Sequence, residues 1–210
     1  MTDIIGQFGS AFTCKEFPHA MFYEFEFGLR FELGGYEVPS SRPLKKFIQA
    51  FERADTISST LFRNTKSLWV LSSSYGDKEP DENRLETFGA CDIAPNSFEY
   101  LGASPQGDEE DLLSFGSDLF RHWDAVELDD QNRLREIIWL SLGREMAIQP
   151  SAKADIYVVD FEHGIALHAY DDRGMDVVST DQDKLKVLYA KYKSWLLDHD
   201  MPRMQATFEN

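Results

Sequence analysis

The sequence predicts an α+β fold, with residues 1–210 forming a single domain. A mixed β-sheet of about five or six strands is expected, with helices mainly on one face. Three observations predict it. In the stretch MFYEFEFGLRFEL, Met21, Tyr23, Phe25, Phe27, Leu29, Phe31 and Leu33 alternate with Glu24, Glu26, Arg30 and Glu32. That period of two marks a strand with one buried and one wetted face, Phe22 being the exception on the polar side. A sheet covered on both faces would be apolar at both parities. Next, a helical stretch and a second short strand follow with short links, which suggests a right-handed crossover joining parallel strands. Finally, 42% of residues are hydrophobic, including Phe 16, Tyr 8 and Trp 4, enough to fill a core.

Along the chain, residues 2–13 read as a short helix and 21–33 as the first strand. Pro43 suits the first turn of a helix, with Ser40 or Ser41 as cap. That helix runs to about residue 62 with Leu44, Phe47, Ile48, Phe51, Ala54, Ile57 and Leu61 on one stripe. SLWVLSS (67–73) is a strand. The middle is less regular: a solvated loop, a helix over 81–91, a strand in NSFEYLGAS and a helix over 109–121. DDQNRLREIIWLSLGREM is helical, capped by Asp129 or Asp130, with Leu134, Ile137, Ile138 and Ser141 inward. ADIYVVDF, GIALHAY and MDVVS are strands. Residues 180–200 form a final helix, capped by Thr180 with Asp183 at the capping-box position; Leu185, Leu188, Tyr192, Trp195 and Leu196 make its apolar stripe.

Charge bounds the function. The chain holds 37 acids against 21 bases, a formal net of −16. Residues 77–130 account for 16 acids and three bases, a net of −13, leaving −3 for the 21 acids and 18 bases elsewhere. Nucleic-acid readers are normally basic, so the balance argues against direct nucleic-acid or anionic-membrane binding and for a cationic partner or simple solubility. No apolar run approaches the ~18 residues of a membrane span. The N-terminus lacks a basic n-region, and two cysteines, Cys14 and Cys91, suit reduced thiols. A cytoplasmic location is expected.

The most suggestive local cluster is HAYDDRGMDVVS, where Asp171, Asp172 and Asp176 crowd around Arg173 and Gly174. As a hairpin turn, each residue has a structural job. Gly174 would take the left-handed conformation, Asp171 or Asp172 would accept backbone N–H groups, and Arg173 would pair with a carboxylate. The other reading is a cation or acid/base site, since hard cations want several oxygens. The D-x-[DN]-x-[DN]-G calcium loop is absent, however, and no metal or cofactor is assigned.

Elsewhere, His163 and His168 with Asp160 and Glu162 are the best histidine cluster, more simply read as local hydrogen bonding beside a hairpin. Glu24, Glu26 and Glu32 fit a solvated sheet face with Arg30 better than paired catalytic acids. No phosphate-loop, dinucleotide or nucleophile-elbow motif occurs. Asp108, Glu109, Glu110 and Asp111, with Trp123 among the interleaved aromatics, make a candidate docking face for a basic protein.

Two stretches resemble a bacterial family of unknown function that includes the YxxD-like immunity proteins of LXG-type toxin loci. One is GLRFELGG with the helix containing FERADTISSTLF; the other is DIYVVDF…HAYDDRGMDVVS…LYAKYKSWLLD. The resemblance covers about residues 20–73 and 133–200, and the acidic middle lies outside it. It marks Arg30, Glu32, Asp171, Asp172, Arg173, Gly174 and Asp176 as signature positions and carries over no catalytic residue. It implies a non-enzymatic protein that binds and blocks a toxin, often a nuclease, whose basic surface an acidic inhibitor would complement. A hydrolase or metal-dependent enzyme built on Asp171, Asp172 and Asp176, and a structural or regulatory module, are the alternatives.

Overall fold

The protein is described by a computed structural model at residues 4–14, 16–105 and 119–209. One seven-stranded sheet runs through it in the order β1-β7-β6-β5-β2-β4-β3. Its strands are β1 (Phe27–Phe31), β2 (Leu68–Gly76), β3 (Glu99–Pro105), β4 (Phe120–Leu128), β5 (Asp155–Asp160), β6 (Ile165–Asp171) and β7 (Gly174–Ser179). The α+β class is as expected, with slightly more strands. Every pairing is antiparallel, so the sheet is not mixed. β1 and β2 do point the same way across the crossover helix α3 (Pro43–Leu61), but three strands stand between them. The meander β5-β6-β7 fills that gap, pairing β5 with β2 and β7 with β1.

Helices α3, α4 (Leu134–Glu145), α5 (Gln182–Lys191) and α6 (Met201–Phe208) cover one face of the sheet. Strand residues of one parity supply their floor: Leu29 and Phe31, Leu68 and Val70, Val126 and Leu128, Ile156 and Val158, Leu167, Val177. Phe47, Ile57, Ile137, Leu185 and Met204 pack down onto it from the helices. The opposite face carries a smaller cluster. Helix α1 (Ile4–Phe12) buries Ile4, Phe8 and Phe12, one residue per turn, against Trp69, Leu71, Tyr157 and Val159. Phe17 wedges beside them, its ring 4.6 Å from Phe8 and 5.4 Å from Tyr157. Among the described residues no helix is long and apolar enough to cross a membrane.

Several local expectations change. The alternation over 21–33 is not one strand: Met21–Glu24 form a helical turn, α2, and only Phe27–Phe31 pair with β7. The turn lets Met21 enter the smaller cluster while Phe22 enters the larger one. On α3 the buried stripe is Phe47, Ala50, Ala54, Ile57 and Ser58, whereas Leu44 and Ile48 face solvent. No side chain caps α3, whose first turn is set by Pro43. Asp130 caps the turn leading into α4, as expected. Asp181, not Thr180, caps α5 by accepting the Asp183 amide. That helix stops at Lys191, and α6 is a separate element. Residues 81–91 are turns and a 3-10 helix, Glu86–Cys91. The helix expected over 109–121 lies outside the described residues except at its end, where Phe120 and Arg121 begin β4.

Candidate functional site

The two stretches that carry the family resemblance meet in space. Arg30 on β1 sits opposite Asp176 on β7. Its Nε and Nη2 donate to the two carboxylate oxygens at 2.7 and 2.9 Å, and the Phe22 amide donates to Oδ2 at 3.0 Å. Asp176 is fully buried, and the Arg30 guanidinium lies 4.6 Å from the Tyr23 ring centre. Beside this pair the Gly34 amide donates to the Asp172 carbonyl at 2.5 Å, and Lys46 Nζ lies 2.6 Å from the Asp172 carboxylate. A Cβ at Gly34 would press on that carbonyl, which explains the glycine. Arg53 donates to the Glu32 carbonyl at 2.9 Å and faces its carboxylate at 3.7 Å. Burial raises the Glu32 pKa, an effect partly offset by the Gly35 amide and Arg53.

The β6–β7 hairpin is the structural turn anticipated for Asp171 and Arg173. Asp171 Oδ1 accepts the Arg173 and Gly174 amides at 2.7 and 3.0 Å, and Arg173 Nε donates to Oδ2 at 2.6 Å. Gly174 differs from expectation. It belongs to β7 and lacks a left-handed φ; a Cβ there would overlap the Tyr170 ring, so close packing is what selects glycine. The three aspartates are each held by a separate cation: Asp171 by Arg173, Asp172 by Lys46, Asp176 by Arg30.

The smaller-cluster face of the sheet is apolar under α1 and polar beyond it. Strand parity places Arg30, Asp176, His168, Tyr157, Asp155, Ser73 and Arg121 on that same face. Residues 16–23 run across this polar row and grip it in turn. The Phe17 carbonyl accepts from Arg121 at 2.7 Å, His19 Nδ1 lies 3.7 Å from Asp155 Oδ2, and the Phe22 amide and Tyr23 ring engage Asp176 and Arg30. Glu16 accepts from Ser104 Oγ and Trp123 Nε1 at 2.8 and 3.0 Å. Trp123 is therefore a buried packing residue and not the exposed anchor that the sequence suggested.

A cavity of about 230 Å³ opens in this polar region, lined among others by His19, Tyr75, Ser141, Arg144, Asp155 and His168. The candidate metal-ligating atoms of His19, Asp155 and His168 all lie within 4.8 Å of one another. Arg144 Nη1 donates to Asp155 Oδ1. Burial alone would raise the Asp155 pKa, but the facing His19, His168 and Arg144 outweigh it and bring it to about 2. Asp155 raises the His19 pKa, whereas burial lowers that of His168. The histidine cluster read from sequence is thereby split: His163 turns instead to Asp160, 2.8 Å away. His19 was not picked out, because nothing in its local spacing marks it.

The acidic middle divides as well. Asp108, Glu109, Glu110 and Asp111 lie outside the described residues. Asp77, Glu79, Asp81, Glu82, Glu86 and Asp92 are exposed on the approach to β3, the strand that ends the sheet order. Arg84 is committed inward, with Nε and Nη2 each 2.7 Å from the buried Asp124 carboxylate. Tyr75 and Tyr100 are exposed aromatics of this end.

Both cysteines are shielded, and burial pushes each thiol up to about 11. At pH 8 a thiol of pKa about 11 is about one-thousandth thiolate, against about one-tenth at the ordinary 9.0. The higher nucleophilicity of a more basic thiolate offsets part of this, so iodoacetamide should label the folded protein at least about tenfold more slowly than the urea-unfolded chain at pH 8, and faster as pH rises. Mass spectrometry of time points checks this; equal rates in the two states would contradict the burial.

Residues 4–200 match the family described as Domain of unknown function (DUF3885). The chain is also 21% identical over 217 residues to the Uncharacterized protein YnaE of Bacillus subtilis (strain 168), an alignment covering 94% of this chain and 98% of that one. No solved structure matches. With a match that spans the sheet from end to end, from α1 past α5, the chain belongs to the DUF3885 family.

Proposed function

We propose that this protein is a non-enzymatic binding protein, an immunity protein that neutralises a cognate basic toxin through its acidic end. The observation that carries the reading is the one-sided charge of residues 77–130, net −13. Six of its described exposed acids, from Asp77 to Asp92, precede the terminal strand β3 in the chain, while Lys78 is the one exposed base among the described residues of that stretch. A concentrated negative field speeds encounter with a cationic surface and fixes its orientation. A toxin that grips phosphates offers such a surface, and masking it blocks its access to nucleic acid. Exposed Tyr75 and Tyr100 supply aromatic area beside the charge.

Co-expression of the tagged chain with the products of adjoining genes tests the proposal. A single basic partner should co-purify in stoichiometric amount at low salt, be toxic when expressed alone, and be harmless in the complex. Charge reversal of Glu79, Glu82 and Glu86 to lysine, or of Asp108, Glu109, Glu110 and Asp111, should slow association at least about tenfold at low salt and flatten its salt dependence. Absence of a partner, or association rates indifferent to both sets, would overturn it.

A further inference from the structure

His168 sits in the middle of β6, its ring stacked on Tyr157 with centroids 4.3 Å apart. Its Nδ1 lies 2.8 Å from the Ile156 carbonyl oxygen. A carbonyl only accepts, so Nδ1 carries the hydrogen and Nε2 keeps its lone pair. That Nε2 has no hydrogen-bond partner among the described residues, although the side chain is 1% exposed. A buried lone pair left without a donor is costly and demands an explanation. His168 lines a polar cavity together with Asp155 and His19.

We propose that His19, Asp155 and His168 form a binding site for a divalent transition-metal ion, zinc first among them. Two imidazoles and one carboxylate are the donor set of many zinc sites that keep a further position open. The surroundings already orient the donors as a metal site requires. The Ile156 carbonyl fixes the His168 tautomer that presents Nε2, and Arg144 holds Asp155 Oδ1 so that Oδ2 turns toward His19. The ligand atoms lie within 4.8 Å of one another, whereas tetrahedral zinc would bring them to about 3.4 Å. The contraction falls on His19, the one exposed member, whose side chain is 71% exposed and already faces Asp155 at 3.7 Å. The adjoining cavity, about 230 Å³, accommodates a fourth ligand. Of the nearby cations, Arg144 is bound to Asp155, Arg173 to Asp171, and Arg121 to Ser73, the Phe17 carbonyl and Tyr157.

Zinc chloride titrated into chelator-treated full-length protein, followed by calorimetry, should show one ion per chain with micromolar or tighter affinity. The ring Nε2 resonance of His168 should shift on saturation. His19→Ala removes a mostly exposed ring whose contact with Asp155 is 3.7 Å long, so its metal-free melting temperature should fall only slightly while it binds zinc at least about tenfold more weakly. His163→Ala, at the Asp160 contact, should bind as the wild type. No saturable binding, an unmoved His168 Nε2, or undiminished affinity in His19→Ala would each overturn the assignment, leaving a buried water as the partner of that nitrogen.

Discussion

Replacement of Arg30 by alanine is expected to destabilise the protein by about 3–5 kcal/mol, because it strands a buried carboxylate. Asp176 is fully buried, and both its oxygens accept from the Arg30 fork. Without the guanidinium it would keep, among the described residues, the Phe22 amide at 3.0 Å and the Tyr170 hydroxyl at 3.5 Å. Arg30 also lies 3.6 Å from Asp200, whose Oδ1 accepts the Tyr23 hydroxyl at 3.0 Å. One substitution therefore loosens β1, β7 and the approach to α6 together. Urea denaturation reads the loss. Arg30→Met with Asp176→Leu should recover most of it, since an apolar pair removes both charges instead of one. A loss below about 1 kcal/mol for Arg30→Ala would mean that the carboxylate finds water or a proton readily.

Arg121→Lys should cost about 3 kcal/mol, although it conserves charge. Arg121 is 4% exposed, and its three hydrogen bonds go to neutral acceptors on three different segments. Nε reaches Ser73 Oγ at 2.7 Å, Nη1 the Phe17 carbonyl at 2.7 Å, and Nη2 the Tyr157 hydroxyl at 2.8 Å. The planar guanidinium also lies 4.3 Å from the Trp123 ring centre. An ammonium is a single point and cannot span that fork or stack in the same way. Each lost bond to a charged donor is worth about 1.5–3 kcal/mol, part of which the lysine recovers. The effect should be local as well as global: hydrogen exchange should accelerate first across residues 16–23, because Phe17 loses its anchor. Unchanged protection there would show that the strap is held by its apolar contacts alone.

Much of the fold was legible because its periodicities are clean. The α3 and α4 patterns and the meander β5-β6-β7 follow from apolar spacing and from the Asp171–Gly174 turn. β4 was hidden by its own chemistry. Arg121, His122 and Asp124 break any apolar pattern there, yet all three are buried, bonded by Tyr157 and Tyr100 on other strands of the sheet and by Arg84 from the turn at 82–85. The 21–33 alternation was real, but an alternating pattern does not reveal that its first residues turn helical to serve two cores. The position of the sheet's second strand was illegible for a related reason: direction can be read from a crossover, but not how many later strands will be inserted. The signature pairs were visible as charges, whereas their joining is a product of topology. Of the His19–Asp155–His168 group only His168 stood out in the sequence, and with the wrong partners, since the three share no local spacing and converge only when residues 16–23 cross the strands.

The pairing of β1 with β7 also has a consequence for birth on the ribosome. Arg30 and Asp176 are 146 positions apart, so β1 emerges long before its partner exists. Until β5, β6 and β7 have been synthesised, β1 and one side of β2 lack the strands they finally join. A nascent chain carrying unpaired strand edges is open to pairing with its neighbours on a polysome. Closure of the sheet therefore waits on the synthesis of β7, and a chain cut short before residue 155 would leave β1 and one side of β2 without the strands that complete the sheet.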